Sequence, residues 1–141
     1  MILPDVNVLI YAFRADSADH SRFRDWLHGV VNGPAAYGIY PPVLTSLVRI
    51  CTHPRIFRNP DTLDSALHFG NALTAPRTCQ IMTPGVRHWG IFEDLCRRVR
   101  AHGNLVQDAW LAAVAIEFGC EWITTDSDYS KFPGLRCRAP F

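Results

Sequence analysis

Apolar residues recur in this chain at two spacings, and the switching between them predicts alternating strands and helices. A short apolar run from Met1 to Pro4 ends at Asp5 and gives way to Val6-Asn7-Val8-Leu9-Ile10-Tyr11. This suits a buried strand that delivers Asp5 to its C-terminal tip, followed by a short helix. From Asp19 onward, Phe23, Trp26, Leu27 and Val30 fall at helical spacing among His20, Arg24, Asp25 and His28. An amphipathic helix to about Val31 follows, stopped by Asn32-Gly33-Pro34. A second strand is predicted over Ala36 to Ile39. Pro41-Pro42 then open a helix through Val43, Leu44, Leu47, Val48 and Cys51 that must stop near His53-Pro54.

Pro60-Asp61 precede a further helix from Thr62 to about Leu73, and Cys79 to Met82 reads as the third strand. Val86 to Ala101 reads as a helix with Trp89, Phe92, Leu95, Cys96 and Val99 on its inner side, closed by Gly103. Asn104 and Gln107 form a capping-box-like pair at the head of a helix from Leu105 to Phe118, whose four alanines, Ala109, Ala112, Ala113 and Ala115, permit close packing. After Gly119, Trp122 to Thr124 makes a fourth strand leading to Asp126, and Leu135 to Arg138 a fifth. Strands alternating with helices over short links predict an α/β fold. The whole chain, 1–141, is expected to be one three-layer domain with a parallel five-stranded sheet flanked by helices through right-handed crossovers.

A hydrophobic fraction of 48% with only 19% charged residues is that of a folded globular chain and excludes long disordered stretches. Fourteen basic and thirteen acidic residues leave a net charge of +1, so any attraction to nucleic acid must come from local patches. The five cysteines are odd in number and contain no Cys-x-x-Cys pair, which predicts reduced thiols. The start lacks the basic and small-residue features of a signal peptide, and no apolar run reaches membrane-spanning length, so a cytoplasmic location away from membranes is expected.

The acids are where the chemistry concentrates. In open parallel sheets, ligands collect beyond the carboxyl ends of the strands, and Asp5 and Asp126 fall at two such ends. Asp108 lies one turn inside an otherwise apolar helix, where a carboxylate is costly unless something cationic or hydrogen-bonding meets it. If these three converge, with Asp128 beside them, they offer hard oxygen ligands that suit Mg²⁺ or Mn²⁺ better than zinc. Such a site would serve metal-assisted phosphodiester hydrolysis. Local sequence also accommodates a plainer reading: Asp5, Asp126 and Asp128 suit helix or turn caps equally well, while Asp108, behind the cap that Asn104 already supplies, fits it less readily through the favourable first turn of a helix dipole.

Over its full length the chain resembles the PIN domain, and VapC-type toxins in particular. Leu3-Pro4-Asp5-Val6-Asn7-Val8-Leu9-Ile10-Tyr11-Ala12 is similar to that family's first acidic motif. Gly103-Asn104-Leu105-Val106-Gln107-Asp108-Ala109 resembles its acidic helix, and Ile123-Thr124-Thr125-Asp126-Ser127-Asp128-Tyr129 its closing motif. The resemblance implies a magnesium-dependent endoribonuclease acting on structured RNA, with Mn²⁺ able to substitute, a cognate VapB-type antitoxin and a homodimer. Asp5, Asp108 and Asp126 would then hold the metal, with Asp128 orienting a ligand or water, and Asn7 and Thr125 supporting the carboxylates. The chain departs from the family where many members carry a glutamate, at Ser46, and no acid occurs between Asp25 and Asp61 to replace it.

That departure supports an alternative, a catalytically weakened module that binds RNA or protein. A phosphotransfer fold with Asp5 as nucleophile is a weaker fit, because Asn7 stands where dehalogenase-like phosphatases place a second acid, and Lys131 is the sole lysine. Zinc is disfavoured because Cys51, His53, His20, His88 and His102 lack ligand-pair spacing. For substrate grip, Arg97 and Arg100 share a helical face, Arg49, Arg55, Arg58, Lys131, Arg136 and Arg138 are candidates for the rim, and Arg14 is expected close to the acids.

Overall fold

The computed structural model describes residues 1–141. The elements run β1 (Ile2–Pro4), α1 (Val6–Phe13), α2 (His20–Val31), β2 (Tyr37–Ile39), α3 (Pro41–Cys51), α4 (Leu63–Thr74), β3 (Cys79–Ile81), α5 (His88–Val99), α6 (Asn104–Glu117), β4 (Glu121–Ile123), a short 3₁₀ helix (Ser127–Lys131) and β5 (Arg136–Arg138). All five strands are parallel in the order β3-β2-β1-β4-β5. The α/β class, strand number and parallel sense expected from the sequence are all present.

Chain order decides where the functional end lies. From β1 the chain steps outward to β2 and β3, then returns across the sheet to β4 and continues to β5. Right-handed crossovers therefore put the first four helices, packed α1 on α2 and α3, and α3 on α4, on one face, and the packed pair α5 and α6 on the other. The reversal falls between β1 and β4, so a crevice opens beyond their C-terminal ends.

The core is a single cluster of 27 buried hydrophobic residues, including the fully buried Leu3, Leu9, Tyr37, Ile39, Leu47 and Trp122. Both faces of β2 are covered, and Gly38 marks the closest approach: a Cβ there would stand 2.5 Å from the Leu3 Cδ2 and 3.1 Å from the Met82 Cγ. Helix α6 is nearly enclosed, with Ala109, Ala112, Ala113 and Ala115 inaccessible. Those small side chains let it lie close to the sheet and hold Asp108 at a fixed depth.

Three expectations need correction. Trp89 points outward, 64% exposed, and the buried side chains of α5 are His88 and Leu95. His88 satisfies its Nε2 on the Trp110 carbonyl at 3.0 Å, with its ring edge-on to Trp110, which makes an inward histidine tolerable. Asn104 does not cap α6: the cap is Gly103, at φ +56°, and Asn104 is already helical. Arg14 is buried and committed to structure. Its guanidinium pairs with Asp16 at 2.7 Å and with Asp61, donates to the Asn59 carbonyl at 3.2 Å and lies 3.6 Å over the Phe57 ring.

Candidate active site

Beyond the tips of β1 and β4 lies a cavity of about 420 Å³ lined by Asp5, Asp108, Asp126 and Asp128 together. Strand β1 ends at Pro4, so Asp5 sits at the mouth of the crevice, and its backbone N–H still bonds the Ile123 carbonyl of β4 at 2.9 Å. The capping and site readings of Asp5 prove compatible. Its Oδ1 accepts the Val6 N–H at 2.6 Å, starting α1, while Oδ2 accepts the Thr124 hydroxyl at 2.7 Å. Asp126 likewise caps the 3₁₀ helix by accepting the Asp128 N–H at 2.8 Å and still faces the cavity. Asp128 pairs with Lys131 at 2.5 Å.

Electrostatics set Asp5 and Asp108 apart from ordinary surface acids. Asp5 is 2% exposed, and its carboxyl is raised from 3.8 to about 6. Burial is the main cause, aided by the nearby charges of Asp108 and Asp126 and opposed by the hydrogen bonds from Thr124 and Val6. The carboxyl of Asp108 is also raised, first by burial and then by Asp126 and Asp128, with Tyr129 and Lys131 pulling the other way. The Tyr129 phenol is pushed up by burial and by the three aspartates Asp5, Asp108 and Asp126. Burial is thus the larger cause at both Asp5 and Asp108, and the neighbouring carboxylates add to it.

Two supporting residues escape a reading of sequence. Thr124, 5% exposed, is the hub of the site. Its hydroxyl donates to Asp5 and accepts from the Asn7 amide at 3.1 Å and from the Asp126 N–H at 3.0 Å, using its one donor and both lone pairs. The neighbouring Thr125, expected in this role, contributes only a long backbone contact to Asn7 at 3.5 Å. Tyr129, 2% exposed, packs tilted against Trp122 and edge-on to Phe132 and directs its hydroxyl to Asp108 at 3.5 Å.

The remaining wall comes from α3 and α6. Ser46, Arg49 and Ile50 contribute from α3, so serine does occupy the side of the cavity where a further acid would complete the set. Asn104 and Gln107 line it from α6. Among the basic candidates only Arg49 lines the cavity. Arg97 pairs with Glu93 across one turn and Arg138 with Glu121, while Arg136 is held by the Gly119 carbonyl.

No three His, Cys, Asp or Glu side chains converge closely enough to form a ready cage for a metal ion. Each oxygen of Asp5 and one of Asp126 already accepts a hydrogen bond, and each such oxygen keeps a second lone pair. The donor set itself, carboxylates with neither thiolate nor imidazole, remains that of a hard divalent cation.

Comparison with known proteins identifies the family. Residues 2–135 match the family described as the PIN domain. Ribonuclease VapC43 of Mycobacterium tuberculosis is 37% identical over 140 residues, covering 99% of this chain and 95% of that protein. Ribonuclease VapC25 of the same organism is 33% identical over 136 residues, 96% of each chain. Among solved structures, VapBC2 from Rickettsia felis, bound to a DNA fragment from their promoter, superposes with a TM-score of 0.69 at 16% identity, covering 99% of this chain and 98% of that one.

Proposed function

Because the chain belongs to the PIN-domain family, and within it to the VapC-type proteins, we propose that it is a divalent-metal-dependent endoribonuclease, hydrolysing phosphodiester bonds in structured RNA as the toxin of a toxin–antitoxin pair. The observation that carries this reading is the single cavity in which Asp5, Asp108, Asp126 and Asp128 meet at the tips of β1 and β4. The names of VapC43 and VapC25 as ribonucleases support it.

Asp5 and Asp108, both held up by burial and by neighbouring carboxylates, are in the electrostatic condition that a divalent cation relieves. Carboxylate oxygens without thiolate or imidazole suit Mg²⁺, which keeps several waters and takes one or two carboxylates, with Mn²⁺ an acceptable substitute. Asp5 and Asp108 would hold the ion directly or through water, Asp126 would complete its shell, and Asp128 would orient a water or ligand beside it. Bound there, such an ion would supply Lewis-acid chemistry, lowering the pKa of a water and offsetting charge on a phosphate. The chain's own work is positional. Thr124 fixes the Asp5 carboxylate, Asn7 and the Asp126 backbone fix Thr124, and Tyr129 steadies Asp108. With Ser46 in place of an acid on α3, one ion rather than two is the natural complement.

The same reading gives the chain a cognate VapB-type antitoxin, a homodimeric state and a cytoplasmic location. The VapBC2 name of the Rickettsia felis structure supports the first. No helix is long and apolar enough to cross a membrane. Ser46 in the cavity wall favours a second reading, a module that binds RNA or protein without cleaving.

Incubating the protein with total cellular RNA in Mg²⁺, Mn²⁺ or chelator, beside an Asp5→Asn/Asp108→Asn variant, and mapping new RNA ends tests both. Discrete ends that need metal and both aspartates are expected. Absence of new ends across metals and RNA pools would favour the binding module.

A further inference from the structure

The acidic cavity poses an electrostatic difficulty for the substrate it is built to receive. Four carboxylates line it, and an RNA phosphate brings another negative charge. One divalent ion and the Lys131 ammonium on Asp128 offset three of the four. The only basic side chain in the cavity wall itself is Arg49. It is exposed and takes part in none of the seven ion pairs of the protein.

Its freedom follows from its place in the fold. Helix α3 carries no acid, so Arg49 has no partner one turn away on its own helix. In the sheet order, β2, which leads into α3, and β4, which leads to Asp126, lie on opposite sides of β1. The arginine therefore approaches Asp5 from the flank opposite Asp126 and Asp128. Arg49 also borders a second cavity, of about 410 Å³, between α3 and α4, where Leu44, Val48, Leu67 and Asn71 form part of the lining. It thus borders both the carboxylate cavity and the groove between α3 and α4.

We propose that Arg49 is the phosphate-gripping residue of this site, its guanidinium taking a backbone phosphate of the RNA where the strand leaves the carboxylate cavity over α3. The assignment rests on the nuclease reading for the identity of the ligand. It makes Arg49 a binding residue and not a metal ligand. A planar guanidinium with its donors free is suited to bidentate contact with a phosphate, which a lysine ammonium reproduces in charge but not in geometry.

The test compares Arg49→Gln and Arg49→Lys. Affinity for a short fluorescein-labelled RNA hairpin is measured by anisotropy across a salt series with Mg²⁺, in an Asp108→Asn background that blocks turnover, and steady-state cleavage is measured without that background. Arg49→Gln is expected to weaken binding about tenfold and to reduce the slope of log affinity against log salt by about one. KM should rise about as much, with kcat changed less. Arg49→Lys should keep the slope and recover part of the affinity. The melting temperature and Mn²⁺ binding by calorimetry should match the parent protein.

An unchanged salt slope in Arg49→Gln overturns the proposal, as does a loss of Mn²⁺ binding or of folding stability matching the loss of RNA affinity. The two readings separate cleanly. Cleavage by the wild type with KM and slope unmoved in Arg49→Gln removes the grip and leaves the nuclease. An intact slope effect in a protein that cleaves nothing removes the nuclease and leaves an arginine that binds RNA.

Discussion

Replacing Asp5 with asparagine should make the protein more stable in chelator at neutral pH while removing the proposed cleavage activity. Lifting this carboxyl from 3.8 to about 6 corresponds to about 3 kcal/mol against the ionised form in the folded state. Asparagine removes the charge but reproduces the hydrogen bonding only in part. Its oxygen can serve either the Val6 N–H or the Thr124 hydroxyl, and a lost hydrogen bond costs about 1 kcal/mol. The net gain is about 1–2 kcal/mol, or roughly 4–6 °C in melting temperature for a chain of this size.

The pH dependence identifies the cause. Between about pH 4 and 6 the folded protein holds a proton that the unfolded chain has released, so this carboxyl makes wild-type stability rise as pH falls through that window. The variant has no such group. The difference between the two melting temperatures should therefore be largest at pH 7.5 and shrink toward pH 4, where wild-type Asp5 is neutral as well. Paired thermal melts in chelator at several pH values measure this directly. If Asp5→Asn melts below wild type by the same margin at every pH, Asp5 is a stabilising cap and the electrostatic account of the site is wrong.

Thr124→Val should weaken the proposed metal-dependent cleavage about 10- to 100-fold, with Thr124→Ser close to wild type, because the hydroxyl and not the methyl holds Asp5, Asn7 and the Asp126 backbone in register; equal loss in both variants would point to packing instead. Gly38→Ala should cost about 1–3 kcal/mol in urea denaturation, since the added Cβ meets Leu3 at 2.5 Å, and a neutral result would show that β1 and β2 are less tightly seated. Glu117→Ala should lower stability by about 2–3 kcal/mol without altering cleavage kinetics of the folded fraction, because the buried carboxylate accepts the Gly85 and Arg87 N–H groups at 2.8 and 2.9 Å, far from the acidic cavity.

What sequence reading captures here, and what it misses, divides along chain distance. Asp5, Asp108 and Asp126 are legible because each follows a boundary that local pattern marks: the end of an apolar run, the first turn of an alanine-rich helix, the end of a fourth strand. Thr124 is not, because its meaning lies in contacts with Asp5 and Asn7, 119 and 117 residues away, and locally it is only the last residue of an apolar strand. Arg14 misleads for the same reason. It is near Asp5 in sequence, but Asp61, 47 residues on, captures it. On α5, helical spacing alone accommodates Trp89 and His88 on adjacent stripes. The choice between them is made by Trp110 of α6, which offers a carbonyl to the histidine. Asn104 likewise looks like a cap until Gly103, with its positive φ, starts the helix one residue earlier and leaves the amide to line the cavity.

Ser46 is best understood through the charge it leaves out. An acid at that position would share a face of α3 with Arg49, three residues on, and stand within reach of an ion pair with it. Serine leaves α3 without any carboxylate, so negative charge in the cavity is confined to the flanks supplied by β1, α6 and the 3₁₀ helix, and positive charge stands alone on the flank supplied by α3. The cavity is polarised across its width. On the proposed reading a divalent cation would be drawn to one side and a phosphate to the other, a division of labour that a symmetrical ring of acids does not provide. A Ser46→Glu change should then act in two opposing ways, tightening Mn²⁺ binding measured by calorimetry while weakening RNA affinity as Arg49 turns to the new carboxylate. Tighter metal binding with undiminished RNA affinity would show that the arginine is not the group on which the phosphate depends.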